Sequence, residues 1–241
     1  MNTLNFENYE TQARKILRED GIQIRWGNDF ANFKRLVARC PERHAPAPGF
    51  DPDHARGQNL DGIWLAAYNG SGTLIHTQAA RREVITPNFS HHLSHEGECY
   101  EPSYWRFDSE RSATAMTPAA AAITGDAIYH GENWVKGNPN GYRGGHFIYL
   151  FCRLMLARIL QTWDAAHIYG FVTPETASRG LAQRVGYMRC EQGTLTFEQD
   201  NAPDVELWLV WMTREEALFN LRLEPAYFVK RYGNAELSKV A

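Results

Sequence analysis

The chain has 241 residues, with 25 lysines and arginines against 28 aspartates and glutamates, a formal charge of −3. Apolar residues make up 44% and charged residues 22%, which excludes a disordered or collagen-like chain and gives no electrostatic footing for nucleic acid. No apolar run approaches the roughly 18 residues of a membrane-spanning helix, and the first residues lack the basic-then-apolar order of a secretory signal.

Residues 22–26 alternate as a half-buried strand ending at Gly27-Asn28-Asp29. Asn28 or Asp29 can cap a helix with apolar residues at Phe30, Phe33, Leu36, Val37 and Cys40. Residues 41–60 are rich in proline and charge and read as a loop. Two β-prone runs, 62–68 and 73–77, flank Asn69-Gly70-Ser71-Gly72 and predict a hairpin. From residue 86 to 118 the pattern loosens into a long insertion that holds three of the nine histidines, His91, His92 and His95.

Regularity returns with a candidate strand at 127–135. A glycine-rich turn follows, and then a helix over about 146–163 that is apolar on most of its circumference. A strand at 166–172, a short helix opened by Pro174 and closing at about Arg184, and a last strand at 205–212 complete the order. The fold class is α/β, a mixed, mostly antiparallel central sheet flanked by helices. It is read as a single domain over residues 1–241, with the insertion at 86–118 and a C-terminal helical extension at 214–241.

The turn around Arg143-Gly144-Gly145-His146 carries the clearest chemistry. A helix N-terminus exposes unpaired backbone N–H groups and the positive end of a dipole, and glycines before it let phosphate oxygens approach. It matches neither a P-loop nor a dinucleotide fingerprint.

Trp134-Val135, a turn ending in Tyr142-Arg143-Gly144, and the long apolar helix together resemble the acyl-CoA-binding core of the GNAT acyltransferase superfamily. About 40 residues on, Leu181-Ala182-Gln183-Arg184-Val185-Gly186-Tyr187 is similar to that family's closing short helix and Gly-Tyr. The resemblance spans 123–212 and, more loosely, 20–80. It departs at His146 and Ile148, where the family has small residues, and at Ala182, where it commonly has the tyrosine that protonates the leaving thiolate.

The resemblance implies an acyl-CoA co-substrate, acetyl-CoA by default, held between splayed strands, with its pyrophosphate over Arg143, Gly144, Gly145, His146 and Phe147. It implies direct attack by a small-molecule amine on the thioester, with an oxyanion donor near Val135. Glu132 and Asp126 are the candidate bases, with His130 third. Tyr187 is read as a packing aromatic, and Cys152 and Cys190 as core thiols. No metal, nucleic acid or membrane partner is expected. A homodimer is allowed for, and the four scattered cysteines suit a cytoplasmic protein.

Two alternatives stand beside this reading. One is a GNAT-like domain that has lost catalysis and binds a ligand. The other is a zinc hydrolase built on His91, His95 and Cys99, with His92 in the same cluster. Aromatics at Tyr100, Tyr104, Trp105 and Phe107 follow that cluster and suggest the acceptor side of a pocket.

Overall fold

The computed structural model describes residues 5–54, 59–96, 100, 113–114, 116–137, 142–143, 145–197 and 204–233. The chain opens with a helix that the sequence reading did not anticipate, α1 (Phe6–Glu19). Its signal is a narrow stripe of buried Tyr9, Ala13 and Leu17 on an otherwise polar segment, started by Asn5, whose side chain accepts from the Asn8 N–H at 2.9 Å.

The next elements follow the predicted order. They are β1 (Gln23–Gly27), α2 (Phe30–Ala38), capped by Asp29, and the hairpin β2 (Gly62–Tyr68) and β3 (Leu74–Ile85). The insertion contributes α3 (Phe89–Glu96) and the two-residue strand β4 (Ala113–Thr114), and α4 (Pro118–Ala121) begins where it ends. Then come β5 (Gly125–Val135), α5 (Phe147–Thr162) and β6 (His167–Val172). The single helix expected over 174–184 is two, α6 (Pro174–Ser178) and α7 (Leu181–Val185). Gly180, at φ +72°, breaks them apart in a backbone region that favours glycine. Strands β7 (Arg189–Phe197) and β8 (Val205–Thr213), then α8 (Arg214–Asn220) and α9 (Pro225–Tyr232), complete the described chain.

The strands form one sheet in the order β1-β2-β3-β5-β6-β8-β7-β4. Every pairing is antiparallel except β5 with β6. Each face has its own core. Helices α1, α5 and α9 cover one face, and α5 buries residues around its whole girth, from Ile148 to Leu160, as its sequence pattern requires. Phe30, Phe33, Phe50, Phe89 and Leu93, from α2, α3 and the loop between α2 and β2, cover the other.

A buried polar cluster ties the insertion to the second face. The Glu83 carboxylate pairs with Arg81, accepts from the hydroxyls of Tyr100 (3.0 Å) and Tyr169, and meets His92 Nε2 at 3.2 Å. Burial alone would raise its pKa. Arg81, His92 and Tyr169 outweigh that and hold it at about 2. His92 is thereby committed to holding α3 on the sheet.

Candidate active site

The only parallel pair among the described residues is short. Ala127, Ile128 and Tyr129 of β5 pair with His167, Ile168 and Tyr169 of β6, and there the ladder stops. Both strands continue, to Val135 and Val172, and a cavity of about 340 Å³ lies where they part. Gly170 lets the backbones come close at the fork, since a Cβ there would sit 2.6 Å from the His130 carbonyl oxygen and 3.2 Å from the Tyr187 hydroxyl.

The β5 wall is bent by a bulge. Thr77 pairs with Trp134 and Ala79 with Gly131, which leaves Glu132 and Asn133 together against Gln78. Glu132 takes φ +57°, a strained value for a side chain other than glycine. Backbone strain at a cavity wall is a common companion of function.

Beyond the fork the chain runs through a glycine-bearing turn into buried α5. On the other side of the sheet opening, α7 ends in Gly186-Tyr187 before β7. A forked parallel pair, a turn opening a buried helix and this closing helix are the features that the sequence resemblance implies. The fold is GNAT-like.

Among solved structures, the chain is similar to NAA60 of Arabidopsis thaliana in complex with acetyl-CoA, at 15% identity and TM-score 0.48, over 80% of this chain and 99% of that one. It is similar to an N-acetyltransferase of Staphylococcus aureus Mu50 at 11% identity and TM-score 0.43, over 80% and 98% of the two chains. A third is the spermidine N-acetyltransferase of Vibrio cholerae, in complex with CoA and spermine, at 9% identity and TM-score 0.42, over 82% and 98%. No family model and no curated protein matches the sequence.

Within this GNAT-like cavity the polar group that stands out is one the sequence reading assigned to packing. The Tyr187 hydroxyl lines the cavity and lies 3.1 Å from His130 Nδ1. His130 Nε2 lies 3.0 Å from Gln78 Oε1, and Gln78 Nε2 donates to the Phe151 carbonyl of α5 at 2.6 Å. That last bond orients the amide, so Gln78 Oε1 must accept and His130 carries its proton on Nε2. His130 Nδ1 is then an acceptor, and Tyr187 donates to it. Burial pulls the His130 pKa down to about 4 and pushes that of Tyr187 well above its ordinary value, so both are uncharged near neutrality. The family tyrosine's position, Ala182, is buried and also lines the cavity. A phenol therefore reaches the cavity from further along the chain.

The first-choice base is placed differently from the expectation. Glu132 borders the cavity, but Oε1 accepts the Ala47 N–H at 2.9 Å and Oε2 is paired with Arg43. Both oxygens are occupied in holding loop 43–47 against β5. Asp126 lies at the start of β5, outside the cavity lining, paired with Arg82 at 2.6 Å. Val135 is likewise outside the lining, and its carbonyl accepts from Arg143 Nε at 3.1 Å. The stretch of β5 that faces the cavity is 129–133.

At the turn, Gly145 takes φ +64° and His146 precedes α5, which no side chain caps. The first-turn N–H groups of α5 from Phe147 onward therefore lack a side-chain acceptor. His146 Nε2 lies 2.7 Å from Asp20 Oδ2, which brings a carboxylate to the same end of the helix. Gly144 lies outside the described residues.

Among the histidines of α3, the exposed rings of His91 and His95 stack at 4.2 Å. Cys99, Tyr104, Trp105 and Phe107 lie outside the described residues, among which no group of three or more His, Cys, Asp or Glu side chains is gathered as for a metal ion. Tyr100 does line the cavity. Cys152 is buried, and burial pushes its thiol to about 12, which suits a core position. Cys190 is exposed on β7, contrary to the core reading.

Buried neutral histidines make stability pH-dependent. His76, stacked on Phe151 at 4.3 Å, is pulled by burial to about 3, beside His130 at about 4. Both lie below the roughly 6.5 of an unfolded chain. As pH falls below that value the unfolded state takes up protons first, so stability declines by about 1.4 kcal/mol per pH unit for each histidine until the folded values are approached. Urea unfolding at pH 7.5 and 5.5 checks this. The midpoint should drop at the lower pH, and His130→Gln should flatten the dependence. Equal midpoints would refute it.

Proposed function

We propose that this protein is an acyl-CoA-dependent N-acyltransferase, with acetyl-CoA as donor and a small-molecule amine as acceptor. The observation that carries the reading is the pair of uncharged groups, Tyr187 and His130, at the fork of β5 and β6. The amine nitrogen attacks the thioester carbonyl, the new C–N bond forms, and the C–S bond breaks. The proton that leaves nitrogen ends on sulfur. The Tyr187 hydroxyl can pass it by turning its own proton from His130 Nδ1 to the sulfur as it accepts the amine's, so no charge is created in a desolvated space. His130, held by Gln78 in the tautomer that accepts at Nδ1, keeps the hydroxyl in place. The thioester oxyanion needs a fixed N–H, and β5 has left its β6 partner beyond Tyr129.

The acyl-CoA pyrophosphate is assigned to the turn and first turn of α5, with Gly144, Gly145, His146 and Phe147 supplying backbone and Arg143 a nearby cation. Calorimetry with CoA on the wild type and on Gly145→Val tests the assignment. The variant should bind more weakly, because a β-branched residue resists φ +64° and crowds the approach. Equal affinity in a folded variant would remove the turn from the site. Release of free CoA thiol in the presence of amines tests the transfer itself.

The second reading, a GNAT-like binding domain without catalysis, is favoured by the Asp20 carboxylate beside His146, which opposes a pyrophosphate at that helix end. CoA affinity without thiol release on any amine would select it.

A further inference from the structure

The charges on the cavity wall differ in what they leave open. Among the described lining residues Glu132 is the only carboxylate, and both of its oxygens are engaged, by the Ala47 N–H and by Arg43. Arg43, whose side chain is only 9% exposed, uses a single nitrogen: Nη2 donates to the Glu132 carboxylate and to the Glu132 carbonyl. Its Nε is buried without a partner, and among the described residues Nη1 has none either. The other polar groups at this wall are hydroxyls of tyrosine and threonine, the Asn133 amide and the imidazoles of His130 and His44, with no second carboxylate among the described residues.

A cationic acceptor would meet a guanidinium here and no open carboxylate. An oxyanion would meet a guanidinium with donors to spare outside its Nη2, already fixed by its pairing to Glu132. A buried, unbonded N–H is costly, and a ligand oxygen that claims it recovers that cost. We infer that the acceptor is an amine that also carries a carboxylate, an amino-acid-type molecule, with Arg43 taking the carboxylate while the amine reaches the thioester beside Tyr187. This deepens the acyl-transfer reading and rests on it for the identity of the reaction, although the carboxylate site itself does not depend on turnover.

The experiment compares each of several α-amino acids with its own carboxamide, and with spermidine, using acetyl-CoA and succinyl-CoA as donors and free CoA thiol as the readout. Calorimetry of the same amino acids without donor runs alongside. With acetyl-CoA, the amino acid should exceed its amide in kcat/KM by about ten- to a hundredfold, the range of a charge-assisted hydrogen bond. Arg43→Lys keeps the charge but loses the planar guanidinium and its unclaimed donors. It should raise KM for the acid by about tenfold and shrink the acid-to-amide ratio in kcat/KM by the same factor. If that variant fails to fold, the acid-to-amide ratio in the wild type decides the matter.

Equal or better use of the amide or of spermidine overturns the inference while leaving acyl transfer standing. Amides that react only with succinyl-CoA place the oxyanion on the donor and also overturn it. Amino-acid binding that weakens in Arg43→Lys, with no transfer from either donor, supports the carboxylate site and removes the acyltransferase reading. Neither binding nor transfer overturns the inference.

Discussion

Replacing Tyr187 with phenylalanine lowers the maximal rate of acyl transfer by roughly 10²–10⁴-fold, the usual worth of a positioned proton donor, and leaves acyl-CoA affinity nearly unchanged. The ring stays where it packs and only the hydroxyl is lost, so the cavity keeps its shape. His130 Nδ1 loses the hydroxyl 3.1 Å away, and its neighbour Gln78 still holds Nε2. An unpaired buried acceptor costs about 1–3 kcal/mol of stability, which denaturant unfolding separates from the kinetic effect. The measurement is kcat and KM for CoA release on a reactive amine, with CoA affinity from calorimetry. A phenylalanine variant that keeps the wild-type kcat removes the phenol from the chemistry, and the proton must then travel by water.

Glu132→Gln should cost about 3–5 kcal/mol of stability, because it removes one partner of a buried ion pair and leaves the Arg43 charge uncompensated. The side chains are 9% and 8% exposed, so solvent does little to screen the loss. Urea unfolding measures it. The double variant Glu132→Gln with Arg43→Met should recover much of the loss, since no buried charge is then left unpaired. A single variant as stable as the wild type would show that loop 43–47 does not depend on this pair. The role is structural, unlike the general-base role that the sequence suggested. Residue type and strand position alone do not reveal that both carboxylate oxygens are already claimed from a loop more than eighty residues earlier.

Much of the fold was legible because it is written in local periodicity. The helix at about 146–163 reads as buried from its apolar girth, and the structure gives α5 at Phe147–Thr162 inside one core. The strand at 127–135, the hairpin and the Asp29 cap are also local patterns, and β5, β2, β3 and α2 follow them. Helix α1 escaped because its buried stripe is narrow and its other positions are polar, so only docking on α5 and α9 makes it cohere. The break at Gly180 escaped because proline and alanine before it favour one continuous helix, and a single glycine does not announce its φ.

By itself the sequence determined the class of sheet, the order of the hairpin, β5, α5, β6 and β8, and the family that this order resembles. Each is set by nearest-neighbour propensities, capping and the spacing of apolar residues along the chain. Only the tertiary structure decided which polar side chains share a cavity. Tyr187, His130, Gln78 and Phe151 are far apart in sequence and are joined because β5 and β6 part beyond Tyr129, while α5 and the segment after α7 pack over the gap. Hydrogen bonds and burial of that kind depend on distances that no local pattern encodes. They made Glu132 an anchor, set Asp126 outside the cavity and brought a hydroxyl to the fork from a residue that reads, in sequence, as packing.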